Sequence, residues 1–116
     1  MPQAFGTALT ALKAFDIKLD VNANNIANVN TDKFKKSRVD LQETYPAGVK
    51  VEIEQVNTPG ISLGTNERTG ETRESSNVTL EEEFVDQIVT QYSYKANILS
   101  VKTADEMQKT LLDIIS

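Results

Sequence analysis

The strongest constraint on the fold is a segment from Leu80 to Ile115 that contains neither proline nor glycine. Thr79 precedes it with a hydroxyl that can cap the first turn, and the glutamates at positions 81–83 suit the positive end of a helix dipole. The segment predicts a helix over about residues 79–115, which at ~1.5 Å per residue is ~54 Å long. A compact domain of this size has a radius of gyration of only ~13 Å. The helix must therefore project, and its apolar stripe needs a partner along its length.

The apolar stripe of this helix has a regular period. Val85, Ala96 and Met107 are 11 residues apart, as are Ile88 and Leu99. That period keeps a stripe nearly straight on a helix. The residues predicted to form an assembly interface on this helix are Val85, Ile88, Tyr92, Ala96, Leu99, Met107, Leu111 and Ile114.

Residues 4–30 are predicted to form a second long helix with a seam of its own. Alternating steps of three and four give Phe5, Ala8, Leu12, Phe15, Leu19, Asn22, Ile26 and Val29. All except Asn22 are apolar, which is the a/d pattern of a coiled coil, and a lone Asn in such a seam often fixes its register. The alternative is an ordinary amphipathic helix packed on a small sheet.

The segment between the helices, about residues 34–76, combines strand and loop patterns. Val49, Val51 and Ile53 alternate with charged residues, and residues 45–48 supply a turn before them. Residues 64–76 are polar with two glycines and are predicted to form a mobile loop. The basic residues at 33–38 are interpreted as a solvated segment that complements the negative end of the preceding helix.

These patterns together predict a mainly α fold with a small β element, in a single domain of residues 1–116. Two long terminal helices pack as a coiled-coil-like pair, and a short β-hairpin and loop lie between them. A lone hairpin is marginal in water, so this one is expected to lean on a helix.

Composition argues against catalysis and against several classes of ligand. The chain has no cysteine, histidine or tryptophan and a net charge of -5. Thiolate and imidazole chemistry are thereby excluded, and an acidic chain is poorly suited to nucleic acid. Glu81, Glu82 and Glu83 could suggest a cation site, but consecutive helix positions point in different directions. We predict no enzyme activity, cofactor, metal, small-molecule substrate, nucleic-acid partner or membrane insertion.

Two stretches resemble the bacterial flagellar rod and hook protein family. Residues 23–31 read ANNIANVNT and residues 34–38 read FKKSR. Near the other end, residues 76–85 read SNVTLEEEFV, and AN at 96–97 and KTADEM at 102–107 follow. The resemblance adds the polar residues Asn25 and Asn28 to the candidate assembly residues of the first helix.

The chain departs from the family pattern at three places. Lys33 stands where the family usually has glycine before the aromatic residue, here Phe34. Residues 91–94 read QYSY, without the arginine that many members carry. The middle segment is short, since the large outer domains of hook and distal-rod members are missing.

The resemblance implies a structural subunit of the basal-body rod, or of the axial structure of rod and hook, located in the cell envelope and periplasm. Members of this family leave the cell through the type III export apparatus without a cleaved signal peptide. The first five residues here likewise lack the basic and apolar regions of a secretory signal. The implied partners are copies of the chain itself, other rod and hook proteins, and the export apparatus.

Two other functions remain open at this point. A binding module or chaperone could use the same helices to pair with rod or hook subunits without polymerising, and it would not self-assemble with rising concentration. A wall-cutting hydrolase would need two carboxylates in a cleft with separated pKa values. The acidic residues here fall mostly on polar helix faces.

Overall fold

The structure of the chain, a computed structural model, describes residues 2–65 and 67–115. Two long helices flank two small hairpins. The elements in order are α1 (Pro2–Ala27), β1 (Ser37–Glu43), β2 (Val49–Gln55), β3 (Ser62–Thr65), β4 (Thr72–Glu74) and α2 (Leu80–Ile115). Because α1 packs along α2 and the strands form only small two-stranded sheets, the predicted fold class is confirmed.

Helix α1 ends at Ala27, three residues before the predicted end. Its first residue is Pro2, whose fixed φ suits the first helical position. At the other end the side chain of Asn28 donates to the carbonyl of Asn24 at 2.9 Å, and Thr31 Oγ1 donates to Asn28 Oδ1 at 3.0 Å. Such local bonds compete with helix continuation. The helix therefore stops inside the asparagine-rich run.

The turn after α1 keeps a left-handed residue although glycine is absent there. Lys33 has φ of 61°, a conformation that side chains with a Cβ rarely adopt. Its backbone N–H donates to the carbonyl of Glu74 at 2.9 Å, which fixes the turn against β4. The departure at this position thus changes the residue without changing the turn to another conformation.

The first hairpin follows the alternation in the sequence. β1 and β2 are antiparallel, with Val39 opposite Ile53 and Leu41 opposite Val51. These apolar pairs share one face of the sheet, and α1 packs against both strands. The helix thereby supplies the support that a lone hairpin lacks.

The prediction of a mobile loop over residues 64–76 is wrong in part. β3 and β4 form a second antiparallel hairpin, with Thr65 opposite Thr72 and an irregularity between Ser62 and Gly64. Every residue of β3 is exposed. No apolar alternation marks this strand, because neither of its faces is buried.

The molecule is long and thin. Its principal extents are 81 × 25 × 14 Å, and its radius of gyration is 20.6 Å, against ~13 Å for a compact domain of this length. In the described residues the buried apolar side chains are those of Ala14 and Val78, whereas buried polar side chains are Asn22, Asn25, Ser76, Glu83 and Thr90. A subunit with so little apolar core leaves most of its apolar surface in water.

Candidate assembly surface

A buried carboxylate joins the two helices near the start of α2. Glu83 is only 5% exposed, and its Oε2 accepts from Asn22 Nδ2 at 2.5 Å and from Asn25 Nδ2 at 3.3 Å. The first turn of α2 adds the favourable end of the helix dipole. We refer to Glu83, Asn22 and Asn25 as the Glu83 cluster. Because a buried carboxylate needs hydrogen-bond donors, this cluster holds α1 and α2 in one relative position.

The same cluster attaches the first hairpin to α1. Asn25 Nδ2 also donates to the carbonyl of Ser37 at 2.9 Å, and Asn25 Oδ1 accepts from the Ser37 N–H at 3.0 Å. The amide thus bonds both backbone groups of the first β1 residue, as a neighbouring strand would. One asparagine therefore links α1, α2 and β1.

A second interhelical bond defines the register of the helix pair. Asn97 Nδ2 donates to the carbonyl of Ala8 at 2.7 Å. This bond and the Asn22–Glu83 bond lie 14 residues apart on each helix, and both pairs of residue numbers sum to 105. The helices are therefore antiparallel, and 14 residues are two heptads, the repeat that keeps a seam facing its partner.

The face of α2 that turns inward is polar. Its buried and half-buried residues recur in steps of three and four: Glu83, Gln87, Thr90, Tyr94, Asn97, Val101 and Ala104. In this set only Val101 and Ala104 are aliphatic. Buried Oγ1 of Thr90 has no hydrogen-bond partner among the described residues. The inward face thus contributes specificity more than apolar burial.

The predicted apolar stripe of α2 turns outward instead. Ala96 is exposed, and the seven larger members of the stripe are between 51% and 73% exposed. The expectation that α2 could meet α1 through this stripe is therefore wrong, because polar residues occupy the contact. The exposed residues are Val85, Ile88, Tyr92, Ala96, Leu99, Met107, Leu111 and Ile114.

The predicted residues of α1 lie on its inward side. None of them is exposed; Asn22 and Asn25 are buried, and the remainder are half-buried: Phe5, Leu12, Phe15, Leu19, Ile26, Asn28 and Val29. Asn22 and Asn25 are engaged within the subunit, and Asn28 bonds locally to Asn24. The asparagines thus divide between a buried polar contact and a helix end, the two roles considered for them.

A second set of polar contacts fixes the hairpins. Asn77 Oδ1 accepts from the Lys36 N–H at 2.7 Å, and Asn77 Nδ2 donates to the carbonyl of Val56 at 2.8 Å. Lys36 Nζ lies 3.3 Å from Glu82 Oε2. The basic segment 33–38 is therefore not merely solvated, and Glu82 contacts a strand residue instead of only closing the helix cap.

Two ion pairs join the turn after α1 to β4. Lys35 Nζ lies 2.7 Å from Glu74 Oε1, and the Gly60 N–H donates to the same oxygen at 2.6 Å. Hydrogen bonding from Lys35, then from Gly60, holds the pKa of Glu74 below its usual range. Arg73 Nε lies 3.0 Å from Asp32 Oδ2, and this hydrogen bond lowers the pKa of Asp32 and raises that of Arg73.

Sequence reasoning missed the residues that hold the subunit together. Glu83 was interpreted as a helix-dipole residue with Glu81 and Glu82, although it alone of the three is buried. Thr90 and Asn97 lie at the 3–4 spacing of the Glu83 seam, so a search for polar residues at that spacing would have found them. Asn77 carries no such signal, since its contacts depend on where the hairpins pack.

The chemistry available on this surface is that of contact. Among residues 2–65 and 67–115, no group of three or more acidic residues could hold a metal ion. Nor does any helix in the described part of the chain have the length and hydropathy needed to cross a bilayer. What the arrangement offers is a long uncovered apolar face on a rigid antiparallel pair.

The fold and its surfaces define an elongated helix-pair protein whose larger apolar face lies outside. Residues 5–35 match the family model described as flagella basal body rod protein, and residues 71–114 match the flagellar basal body rod FlgEFG protein C-terminal model. The two matches cover α1 and α2, the elements that the Glu83 cluster joins. The chain belongs to the flagellar rod and hook protein family.

Known relatives share this similarity over part of their length. The chain is 35% identical over 85 residues to the flagellar basal-body rod protein FlgG of Bacillus subtilis, covering 68% of this chain and 32% of that protein. It is 37% identical to FlgG of Buchnera aphidicola, over 59% of this chain and 28% of the relative. It is 32% identical to the flagellar hook protein FlgE of Treponema pallidum, over 63% and 16%. The matched region thus spans about a third or less of these relatives.

Proposed function

We propose that the chain is a structural subunit of the flagellar basal-body rod, or of the axial structure of rod and hook, and that it self-assembles through its terminal helices. The observation that carries this proposal is the outward apolar face of α2, from Val85 to Ile114. A surface helix of a monomer normally turns its apolar stripe to the core and its polar face to water. Here the orientation is reversed.

The size of this face supports a protein partner. Monomeric proteins rarely expose contiguous apolar patches above a few hundred Å², and larger ones mark interaction sites. Full burial of one such side chain contributes ~1.5–3 kcal/mol. Several of them covered by neighbouring copies would stabilise an assembly more than the sparse core stabilises the subunit.

We also propose that the chain reaches the basal body through type III export with its N-terminus intact. Its partners in the assembly are then copies of itself and other rod and hook subunits. The intact mass of the protein recovered from purified basal bodies tests this directly. A mass lower by that of an N-terminal segment would contradict export without cleavage.

Sedimentation velocity over a concentration series tests self-assembly. Deleting residues 105–116 removes Met107, Leu111 and Ile114 from the outward face, so the variant should remain small at concentrations where the full chain forms large species. A Gly/Ser insertion between Thr69 and Gly70 is the control, because the exposed hairpin there lies away from both helices and loop length costs little.

The binding-module alternative predicts a different result from the same experiment. A chaperone that pairs one-to-one with rod or hook subunits would stay monomeric at every concentration. It would form a single stoichiometric complex when a rod subunit is added. That outcome would reject the proposed function.

A further inference from the structure

The last part of α2 extends beyond the region that α1 covers. In the register set by the Ala8–Asn97 and Asn22–Glu83 bonds, Pro2 lies opposite residue 103. We refer to residues 104–115 of α2 as the overhang. Its apolar residues Met107, Leu111 and Ile114 follow the i, i+4, i+7 spacing of a single ridge and are all more than half exposed.

The overhang carries its acidic groups on one flank of this ridge. At 100° per residue, Glu106 and Asp113 lie about 100–120° to the same side of the Met107–Ile114 line. Asp105 and Lys109 form an ion pair at 3.2 Å elsewhere on the helix. The overhang therefore presents an apolar ridge with a negative edge.

A surface of matching character lies at the opposite end of the helix pair. A concave groove of about 550 Å³ is formed where α1, β1 and the start of α2 meet. Val39 and Val85 supply its apolar part, and Lys18 and Arg38 its positive charges. The residues that line it are Lys18, Arg38, Val39, Glu81, Glu82, Val85 and Asp86. We refer to it as the Val85 groove.

The overhang of a molecule cannot reach its own groove. Val85 and Leu111 stand 26 residues apart on one continuous helix, which separates them by ~39 Å. Any contact between these two surfaces therefore joins two molecules.

We propose that the overhang of one copy docks in the Val85 groove of a second copy, head to tail. The ridge covers Val39 and Val85, and the acidic flank, with Glu106 and Asp113, faces Lys18 and Arg38. Because the two surfaces differ, the contact is heterologous, so each added copy leaves a new groove and a new overhang open. This inference rests on the proposed function and adds to it the pair of surfaces that meet.

Cysteine cross-linking tests the contact, since the chain has no cysteine of its own. The Val85→Cys variant, carrying a tag that changes its mass, is mixed with Leu111→Cys and oxidised at a concentration where the wild type assembles. Docking raises the local concentration of the paired thiols, so the mixed disulfide should exceed that formed with Leu9→Cys by about tenfold. Leu9 is 53% exposed and Leu111 52%, so accessibility is matched.

Equal yields with Leu9→Cys and Leu111→Cys, or a predominance of Val85→Cys paired with itself, would overturn head-to-tail docking. If the wild type still assembled in sedimentation, the proposed function would stand without this contact. A wild type that stays monomeric throughout would reject both.

Charge reversal provides an independent test without new thiols. The double variants Lys18→Glu/Arg38→Glu and Glu106→Lys/Asp113→Lys should each lose assembly, and the quadruple variant should regain it because the charges again oppose each other. Circular dichroism of each variant checks that helicity is kept. Loss without recovery in a folded quadruple variant would contradict the assigned pairing.

Discussion

At the scale of single residues, the turn after α1 contains a conformation that its residue does not favour. Lys33 has a positive φ, and its N–H bond to Glu74 holds it there. The left-handed region costs a residue with a Cβ ~1–2 kcal/mol. Glycine avoids that cost but loses more backbone entropy on folding, by ~0.5–1 kcal/mol.

We therefore expect Lys33→Gly to raise the free energy of unfolding by about 0.5–1 kcal/mol, the difference between those two effects. Lys33→Ala is the control, because it removes the charge and keeps the Cβ. Urea denaturation of the three proteins measures the effect. Equal stabilisation by alanine and glycine would show that charge, not backbone conformation, is responsible.

The Glu74 contacts predict a pH dependence. Since the folded state lowers the pKa of Glu74 below its ordinary value of 4.5, its ionised form stabilises the fold. That stabilisation is present above the unfolded pKa and is lost as the pH falls through the folded pKa. Glu74→Gln should therefore lower the thermal midpoint at pH 7 and have a progressively smaller effect below pH ~4.5. An effect of Glu74→Gln that stayed constant down to pH ~2 would contradict the linkage.

At the scale of elements, Glu83 is the residue on which the pairing of α1 with α2 depends most. Glu83→Ala leaves the buried amide groups of Asn22 and Asn25 without their acceptor and opens a cavity. We expect a loss of about 2–4 kcal/mol in the free energy of unfolding. Glu83→Gln keeps an acceptor oxygen and should lose less than half of that.

Glu81→Ala is the matched control for this prediction, because Glu81 lies in the same turn and is exposed. It should change stability by less than about 0.5 kcal/mol. If the two alanine variants were equally stable, the Glu83 cluster would not hold the helices together.

The elements themselves were readable from the sequence, but the orientation of α2 was not. Apolar spacing and the absence of proline and glycine predict where a helix lies. The same spacing cannot tell which neighbour covers the apolar face. In α2 the face with Val85 and Leu99 turns outward, and the face with Glu83 and Thr90 meets α1.

The second hairpin and the Glu83 cluster escaped prediction for related reasons. β3 is exposed on both faces, so burial leaves no alternation in its residues. Glu83 looks like any first-turn glutamate until Asn22 and Asn25 are brought beside it from α1. Contacts of this kind depend on tertiary packing, which local patterns do not contain.

At the scale of the whole molecule, the subunit has a polar interior and an apolar exterior. Hydrogen bonds of the Glu83 cluster and of Asn97 set the register of an 81 Å rod. The apolar area that normally stabilises a domain is left on the outside of α2. The account therefore claims that much of the stability of this protein arises when copies meet.

The most direct test of that claim is the concentration dependence of the thermal unfolding midpoint, measured for the wild type and for Leu99→Asp. Association stabilises the folded state by mass action, so the wild-type midpoint should rise with concentration. Leu99 is exposed in the subunit, so the variant should match the dilute wild type and stay constant as concentration increases. A wild-type midpoint independent of concentration, or a variant that rises in parallel with it, would contradict the account.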